Sequence, residues 1–181
     1  MNILMTNELT IIGLAKKGDA TAFRQLLEQN YTMMYRVAYR FTGKAQDAED
    51  IAQGVCVNLV HKLQSFNGKS SFSTWLYRVV VNSCHDFHKK NNSHRKLESG
   101  YIELEKNEQS DKNDSDKKIL WLYRTIATLE QSLKETALLV LTEELSHAEA
   151  GKILGCAEST ISWRMHEVRK HLKNAIGSYH D

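Results

Sequence analysis

The residues best suited to chemistry lie in the stretch FSTWLYRVVVNSCHDFHKK, from Phe72 to Lys90. Trp75 and Tyr77 carry flat rings, Arg78 is followed by a basic end, and Asn82 offers an amide that both donates and accepts hydrogen bonds. Rings, amides and cations are the groups that hold a ligand that is both anionic and flat. The stretch therefore indicates either a binding surface of that kind or a core helix with a charged tail.

Helical spacing divides this stretch into two faces. The apolar face predicts core packing and comprises Phe72, Trp75, Leu76, Val79, Val80, Ser83 and Phe87. The opposite face comprises Thr74, Arg78, Asn82, His85 and Lys89. Taken alone, that second face is more typical of a solvated helix surface than of a nucleic-acid surface, because polar residues are mostly exposed in any protein.

The composition favours an all-α protein of one average domain or two small ones. The chain has 181 residues, no proline and nine glycines, whereas loop-rich β folds usually use proline at turns and edges. The net charge of +2 is too small to establish a nucleic-acid partner. Three widely spaced cysteines fit a reducing cytoplasm, and no apolar run approaches the roughly 18 residues of a membrane span. We expect a soluble cytoplasmic protein without membrane insertion.

Helical periodicity is interrupted once along the chain. Residues 1–92 are periodic, residues 93–116 are polar and charge-dense, and residues 117–181 are periodic again. A run such as KNEQSDKNDSDKK cannot bury enough apolar surface to offset its ordering entropy. The sequence predicts two small helical domains joined by a flexible polar linker.

Three helices are expected before the Phe72–Lys90 stretch. The first begins at Thr6 or Asn7 and stops at Gly18. The second ends at Gly43 and has a core face of Phe23, Leu26, Leu27, Tyr31, Met34, Tyr35 and Ala38. The third contains DAEDIAQ, with a core stripe of Ile51, Val55, Leu59 and Leu63. Its acids complement the helix dipole, or they offer an acidic face to a basic partner.

The second domain contains a helix-turn-helix pattern. Ser146 and Glu149 form a capping box, Gly155 supplies the turn, and a longer helix follows with core positions Ile161, Met165, Val168 and Leu172. In such motifs the start of the second helix enters the major groove of DNA. The candidate DNA contacts are Ser159, Thr160, Ser162, Trp163, Arg164, His166, Glu167, Arg169 and Lys170.

Taken together, DAEDIAQ, NGKSSF-STWLYRVVVN, the polar linker and LSHAEAGKILGCAESTIS resemble the bacterial extracytoplasmic-function (ECF) sigma factors of RNA polymerase. The resemblance covers nearly the whole chain in order. It implies sigma region 2 over residues 1–92 and sigma region 4 over residues 117–181. It also implies a non-enzymatic protein without cofactors, which directs core polymerase to promoters and promotes strand opening.

The resemblance also implies roles for particular residues. Core polymerase would be bound at its beta-prime clamp helices and beta flap, with clamp contacts at Asp47, Glu49, Asp50 and Gln53. Duplex and melted non-template DNA of the minus-ten element would be held by Phe66, Asn67, Lys69, Ser70, Phe72, Trp75, Tyr77, Arg78, Asn82, His85, Lys89, Lys90 and Arg95. The helix-turn-helix would read the minus-thirty-five element, and an anti-sigma factor would hold the protein inactive.

Several residues depart from the family pattern. Gly54 stands where an acidic residue is usual, and Cys56 stands where a large aromatic is common. Both departures raise the question of how tightly the chain binds polymerase. Ala157 replaces a capping serine or threonine, and three further departures on the second helix question which duplex is read: Ser162, Trp163 and Glu167.

Three other interpretations fit parts of the sequence. A helix-turn-helix regulator would bind duplex DNA without polymerase, and a sigma mimic would bind polymerase without initiating transcription. A metal sensor would use the run that holds Cys84, His85, His88 and His94. An enzyme is not favoured, because the sequence has no glycine-rich phosphate loop and no nucleophile elbow.

Overall fold

The computed structural model describes residues 3–92 and 114–177, and every regular element within these ranges is helical. The all-α prediction is therefore confirmed. The chain forms two compact units, Met1–Glu98 and Ser99–Asp181. Within the described ranges, no helix has the length and apolar character needed to cross a membrane.

The first unit is built from four α-helices and a short 3₁₀ turn. The helices are α1 (Ile3–Lys16), α2 (Ala20–Thr42), α3 (Ala45–Lys62) and α4 (Phe72–Asn92), and the turn Leu63–Ser65 follows α3. Helix α2 packs against α1, α3 and α4, so it is the centre of the unit. Its core residues include Leu26, Met34, Val37 and Ala38, none of which is exposed to solvent.

The limits of α2 follow from its terminal residues. The carboxylate of Asp19 accepts the backbone N–H of Ala22 at 2.9 Å, which satisfies an N-terminal donor. Gly43 ends the helix in the left-handed conformation, with φ of 73°, and its N–H donates to the carbonyl of Tyr39 at 2.8 Å. The stop that the sequence predicts at Gly43 is confirmed.

The second unit contains α5 (Asp114–Ala127), α6 (Gln131–Ala137), α7 (His147–Leu154) and α8 (Glu158–Gly177). A π-helical turn, Leu138–Thr142, continues α6. The capping box predicted at Ser146 and Glu149 is present at the start of α7, and Gly155 ends that helix with φ of 69°. Ile161, Met165 and Val168 of α8 are fully buried, as their spacing predicts, whereas Leu172 is partly exposed.

Some elements differ from the sequence expectations. Helix α1 begins at Ile3 rather than at Thr6 or Asn7. Helix α5 begins at Asp114, inside the range assigned to the linker, because polar composition opposes burial and does not by itself oppose helix formation. Tyr31, expected on the core face of α2, is 37% exposed.

Gly151 allows the turn between α7 and α8 to close. A Cβ atom at this position would lie 2.8 Å from the carbonyl oxygen of Cys156, whose own N–H donates to the Gly151 carbonyl at 3.0 Å. No side chain fits without moving the backbone of the turn. The sequence did not single out this glycine, because its constraint comes from a neighbour outside the helix.

Gly151→Ala should lower the free energy of unfolding of the second unit by about 1–2 kcal/mol, since overpacking outweighs the gain in helix propensity. Urea unfolding of the full chain, followed by circular dichroism and tryptophan fluorescence, measures this change. Gly54→Ala is the matched control, because a Cβ at Gly54 meets no atom within 4 Å. That control should stabilise the chain by up to about 1 kcal/mol, and equal effects of the two variants would contradict the account.

Candidate polymerase and nucleic-acid surfaces

Three aromatic rings pack together where the α3–α4 loop, residues Phe66–Ser71, meets α4. The centroids of Phe66 and Phe72 lie 5.5 Å apart in an edge-to-face arrangement, and Trp75 lies 5.5 Å from Phe66 and 5.6 Å from Phe72. Phe66 and Phe72 are buried, whereas Trp75 is partly exposed. The cluster is a rigid aromatic base under the loop, and Trp75 is its accessible edge.

The α3–α4 loop has a defined backbone. The side-chain oxygen of Asn67 accepts the N–H of Lys69 at 3.2 Å around Gly68, which has φ of 74°. At the other end, Ser71 Oγ accepts the N–H of Thr74 at 3.2 Å and lies 2.7 Å from the Thr74 hydroxyl. Asn67 and Lys69 are exposed and Ser70 is partly exposed, so the loop presents polar groups beside the aromatic cluster.

One face of α4 presents polar and basic groups to solvent. Arg78, Asn82, Lys89 and Lys90 are exposed and His85 is partly exposed; these five residues are called the α4 polar face below. Arg95, predicted to extend this row, lies outside the described residues. Arginine and lysine suit phosphates, and an asparagine amide suits an unpaired base edge.

Thr74, predicted on this face, and Tyr77, assigned to the minus-ten contacts, are buried instead. Thr74 is 6% exposed, and its hydroxyl and N–H both interact with Ser71. Tyr77 is 7% exposed, and its hydroxyl accepts a hydrogen bond from Arg36 of α2 at 3.4 Å. Phe66 and Phe72 are buried as well, so these rings can act on a ligand only through the groups that they support.

The start of α3 carries an acidic face, defined by Asp47, Glu49, Asp50 and Gln53. Glu49, Asp50 and Gln53 are exposed, and Asp47 is partly exposed. Within this face Gln53 donates to Glu49 at 3.1 Å, and Gln46 donates to Asp50 at 3.3 Å. These contacts lie along the helix surface and leave the carboxylates accessible to a basic partner.

Helix α8 exposes most of its candidate DNA contacts. Ser159, Ser162, Trp163, His166, Arg169 and Lys170 are exposed, whereas Thr160, Arg164 and Glu167 are partly exposed. Trp163 is 61% exposed, which is unusual for so large an apolar side chain. Ser162 Oγ lies 2.9 Å from Nδ1 of His147 and also donates to the Glu158 carbonyl at 3.1 Å, which ties α8 to the start of α7.

Comparison with known proteins identifies the family. A family model described as Sigma-70 region 2 matches residues 26–94. RNA polymerase sigma factor YlaC of Bacillus subtilis is 30% identical over 161 residues, covering 84% of this chain and 90% of that protein. ECF RNA polymerase sigma factor SigW of the same organism is 28% identical over 187 residues, covering 89% and 92%. The chain belongs to the ECF RNA polymerase sigma factors.

Two solved structures share the fold of this sigma factor. One is CnrH in complex with the cytosolic domain of CnrY, with a TM-score of 0.69, 20% identity and coverage of 93% of this chain and 96% of that one. The other is sigma factor RpoE in complex with the anti-sigma factor NepR from Bartonella quintana, with a TM-score of 0.67, 22% identity and coverage of 86% and 96%. The fold prediction from the family resemblance is thereby confirmed.

The acidic face of this sigma factor continues into an apolar patch that the sequence analysis missed. Val57 is 74% exposed and Val60 is 44% exposed, so α3 presents acids at its start and valines further along. Gly54 lies between the two groups, and Cys56 is half-buried with its thiol pKa raised by burial. The missed signal was the valine pair at i and i+3, which falls outside the core stripe of Ile51, Val55 and Leu59.

The described residues contain no group of three or more histidine, cysteine, aspartate or glutamate side chains that could hold a metal ion. Cys84 is fully buried, whereas His85 and His88 are partly exposed. His94, the fourth residue of the metal hypothesis, lies outside the described ranges.

Hydrogen bonds from Ser146 lower the pKa of Glu149 below its ordinary value of 4.5. Glu149 receives the backbone N–H of Ser146 at 2.9 Å and its hydroxyl at 2.6 Å, and both bonds favour the charged carboxylate. A lowered pKa contributes stability above the ordinary value, and this contribution is lost as the pH falls through the folded value. The cap therefore contributes to the stability of α7 at neutral pH.

Glu149→Gln should flatten the acid side of the stability profile. Glutamine can still accept from Ser146 but does not titrate, so the variant should lose less stability than the natural chain when the pH falls below about 4.5. Urea midpoints of both proteins, measured from pH 7 to pH 3, test this. Parallel profiles would show that the Glu149 carboxylate is not linked to folding.

Proposed function

We propose that this sigma factor binds core polymerase through the acidic face of α3 and opens promoters by capturing the melted non-template strand at the α4 polar face. The observation that carries the proposal is the row of exposed Arg78 and Asn82 beside a loop with a rigid aromatic base. Those groups match an unpaired strand, which offers phosphates, base edges and ring faces together.

Strand opening in this scheme requires binding and no catalysis. The α4 polar face and the exposed edge of Trp75 would interact with unstacked bases that a closed duplex does not present. Because these interactions exist only for the open strand, they shift the duplex–open equilibrium towards opening. The polymerase then performs the chemistry of RNA synthesis.

The structure changes the roles proposed for the buried aromatics. Phe66 and Phe72 would support the α3–α4 loop from below, so that exposed Asn67 and Lys69 and partly exposed Ser70 surround a captured base. Tyr77 would orient α4 through its hydrogen bond with Arg36 rather than stack on DNA. Trp75 is the one ring of the cluster with an accessible edge, so it would provide the stacking contact.

The exposed start of α8 would read the minus-thirty-five element as duplex. Ser159, Ser162 and Arg164 are placed to reach base edges or phosphates, and Arg169 and Lys170 further along suit phosphates. The exposed ring of Trp163 offers an apolar surface that would contact a thymine methyl group in the major groove. The preferred sequence would therefore include a thymine opposite Trp163.

The remaining partners follow from family membership. The beta-prime clamp helices would receive the acidic face, and the beta flap would receive the second unit. An anti-sigma factor is supported by RpoE, which was solved in complex with the anti-sigma factor NepR. Action on polymerase and promoter DNA would require a cytoplasmic location.

In vitro transcription with core polymerase on a promoter library tests this function. The proposal expects transcripts that depend on the added protein and share minus-ten and minus-thirty-five sequences. Polymerase binding without such transcripts would indicate a sigma mimic. Strong and specific binding to duplex promoters without polymerase would instead indicate a conventional helix-turn-helix regulator.

A further inference from the structure

Two reciprocal hydrogen bonds join the end of α1 to the entrance of the α3–α4 loop. Lys16 Nζ donates to the carbonyl oxygen of Phe66 at 2.5 Å, and Gln64 Nε2 donates to the carbonyl oxygen of Lys16 at 2.9 Å. The Lys16 ammonium also lies 6.0 Å from the centroid of the Phe66 ring. Residues almost 50 positions apart in sequence thus meet at one point.

Each side chain satisfies an open carbonyl at the end of the other element. Lys16 is the last residue of α1, and Phe66 directly follows the 3₁₀ turn, so both carbonyls belong to helix ends without an intrahelical donor. A protonated lysine is a strong donor to such an oxygen. Gln64 supplies the second donor without adding charge. We call this pair the α1–loop latch.

The latch acts on the residue that anchors the aromatic cluster. Phe66 contacts both Phe72 and Trp75, and its N–H donates to the Leu63 carbonyl at 3.1 Å. The opposite end of the loop is held by Ser71, which caps α4. Exposed Asn67, Gly68 and Lys69 therefore lie between two fixed ends, and the latch fixes the first of them.

Helix α1 is itself firmly attached to the first unit. Ile11, Ile12 and Ala15 are buried against the core, so Lys16 starts from a fixed position. Gly18, with φ of 90°, then turns the chain towards Asp19, the cap of α2. A latch between a rigid helix and a loop can hold the loop in place, whereas a latch between two mobile segments could not.

We propose that Lys16 and Gln64 are positioning residues that set the α3–α4 loop for base capture, so that the docking of α1 determines selectivity at one base of the minus-ten element. This inference rests on the proposed function of the loop. Neither residue would touch DNA. Their effect would pass through the Phe66 carbonyl and ring to the exposed loop residues and the edge of Trp75.

The experiment compares Lys16→Met and Gln64→Leu with the unchanged chain. Lys16→Arg restores a cationic donor, and Lys17→Met removes a neighbouring exposed lysine as the matched charge control. Amide hydrogen exchange is measured in the free full chain. The exchange rates of the Phe66 and Thr74 N–H groups show how firmly the two ends of the α3–α4 loop are held. Promoter opening with core polymerase is then measured on templates that carry each of the four bases at every minus-ten position in turn.

Both latch variants should speed exchange at Phe66 by about tenfold while amides in the α2 core keep their natural rates. They should also reduce discrimination at a single minus-ten position by about fivefold, without lowering polymerase affinity. Lys16→Arg should recover most of both properties, and Lys17→Met should match the natural chain. Gln64→Leu leaves the net charge of the protein unchanged. An effect of this variant therefore reports positioning of the loop and not a weaker electrostatic attraction to DNA.

Unchanged exchange at Phe66 in both variants would overturn the latch. Faster exchange with natural base discrimination would overturn its role in selectivity. If the natural chain with core polymerase discriminates at no minus-ten position, base capture itself fails, and the inference fails with it. Failure of base capture can be told apart from failure of the latch, because it is seen in the natural chain before any latch residue is changed.

Discussion

Asn82→Ala should reduce promoter opening about tenfold, equivalent to about 1.4 kcal/mol, while polymerase affinity stays unchanged. The amide of Asn82 is exposed in the middle of the α4 polar face, where it can pair with an unstacked base. Alanine keeps the helix and removes only the donor and acceptor. Open complexes counted by single-round transcription at a selected promoter measure the loss, and polymerase affinity is measured separately by fluorescence anisotropy.

Gln53→Ala is the matched control for Asn82→Ala. It removes an exposed amide from the same unit, but from the acidic face of α3, where Gln53 donates to Glu49. Its expected effect is the reverse: weaker polymerase binding, and natural opening once polymerase is saturating. A loss of polymerase binding in Asn82→Ala equal to its loss of opening would show that α4 contributes structure rather than strand capture.

Asp50→Lys should weaken binding to core polymerase about 100-fold, equivalent to about 2.7 kcal/mol, because a cation would replace an acid against a basic partner. Asp50 is exposed, and its one described side-chain hydrogen bond, from Gln46, lies on the helix surface at 3.3 Å. The fold should therefore tolerate the change. Binding to labelled core polymerase at two salt concentrations provides the measurement, and added salt should shrink the difference.

Glu28→Lys makes the same charge change at an exposed residue of α2 and serves as the control for Asp50→Lys. It should weaken polymerase binding by no more than about twofold, because Glu28 lies outside the acidic face and salt screens exposed charges. Equal losses of polymerase affinity in both variants would show that the effect depends only on net charge. No loss from Asp50→Lys would move the docking surface away from the acidic face, with the exposed Val57 and Val60 patch as the next region to test.

Local signals in the sequence predicted much of the fold. Gly43 and the Ser146–Glu149 pair each act on the helix end beside them, so their effect can be predicted from neighbouring residues. Helical spacing likewise predicted the buried stripe of Ile51, Val55 and Leu59. Spacing put Thr74 on the polar face, but the side chain is buried and bonded to Ser71.

Contacts between distant segments could not be predicted. The latch formed by Lys16 and Gln64 depends on how helices pack rather than on local pattern. Spacing alone also could not decide the position of Trp75, which the aromatic cluster resolves as half-buried. The candidate minus-ten contacts came from family resemblance, since a polar helix face has the same pattern whether it meets water or nucleic acid.

Permanganate oxidation of unpaired thymines tests the central claim most directly, with a promoter selected by the transcription library. We expect reactive thymines in the minus-ten region only when core polymerase and this sigma factor are both present, and a marked loss of reactivity with Asn82→Ala. A stable complex on the promoter without reactive thymines would contradict strand capture by the α4 polar face.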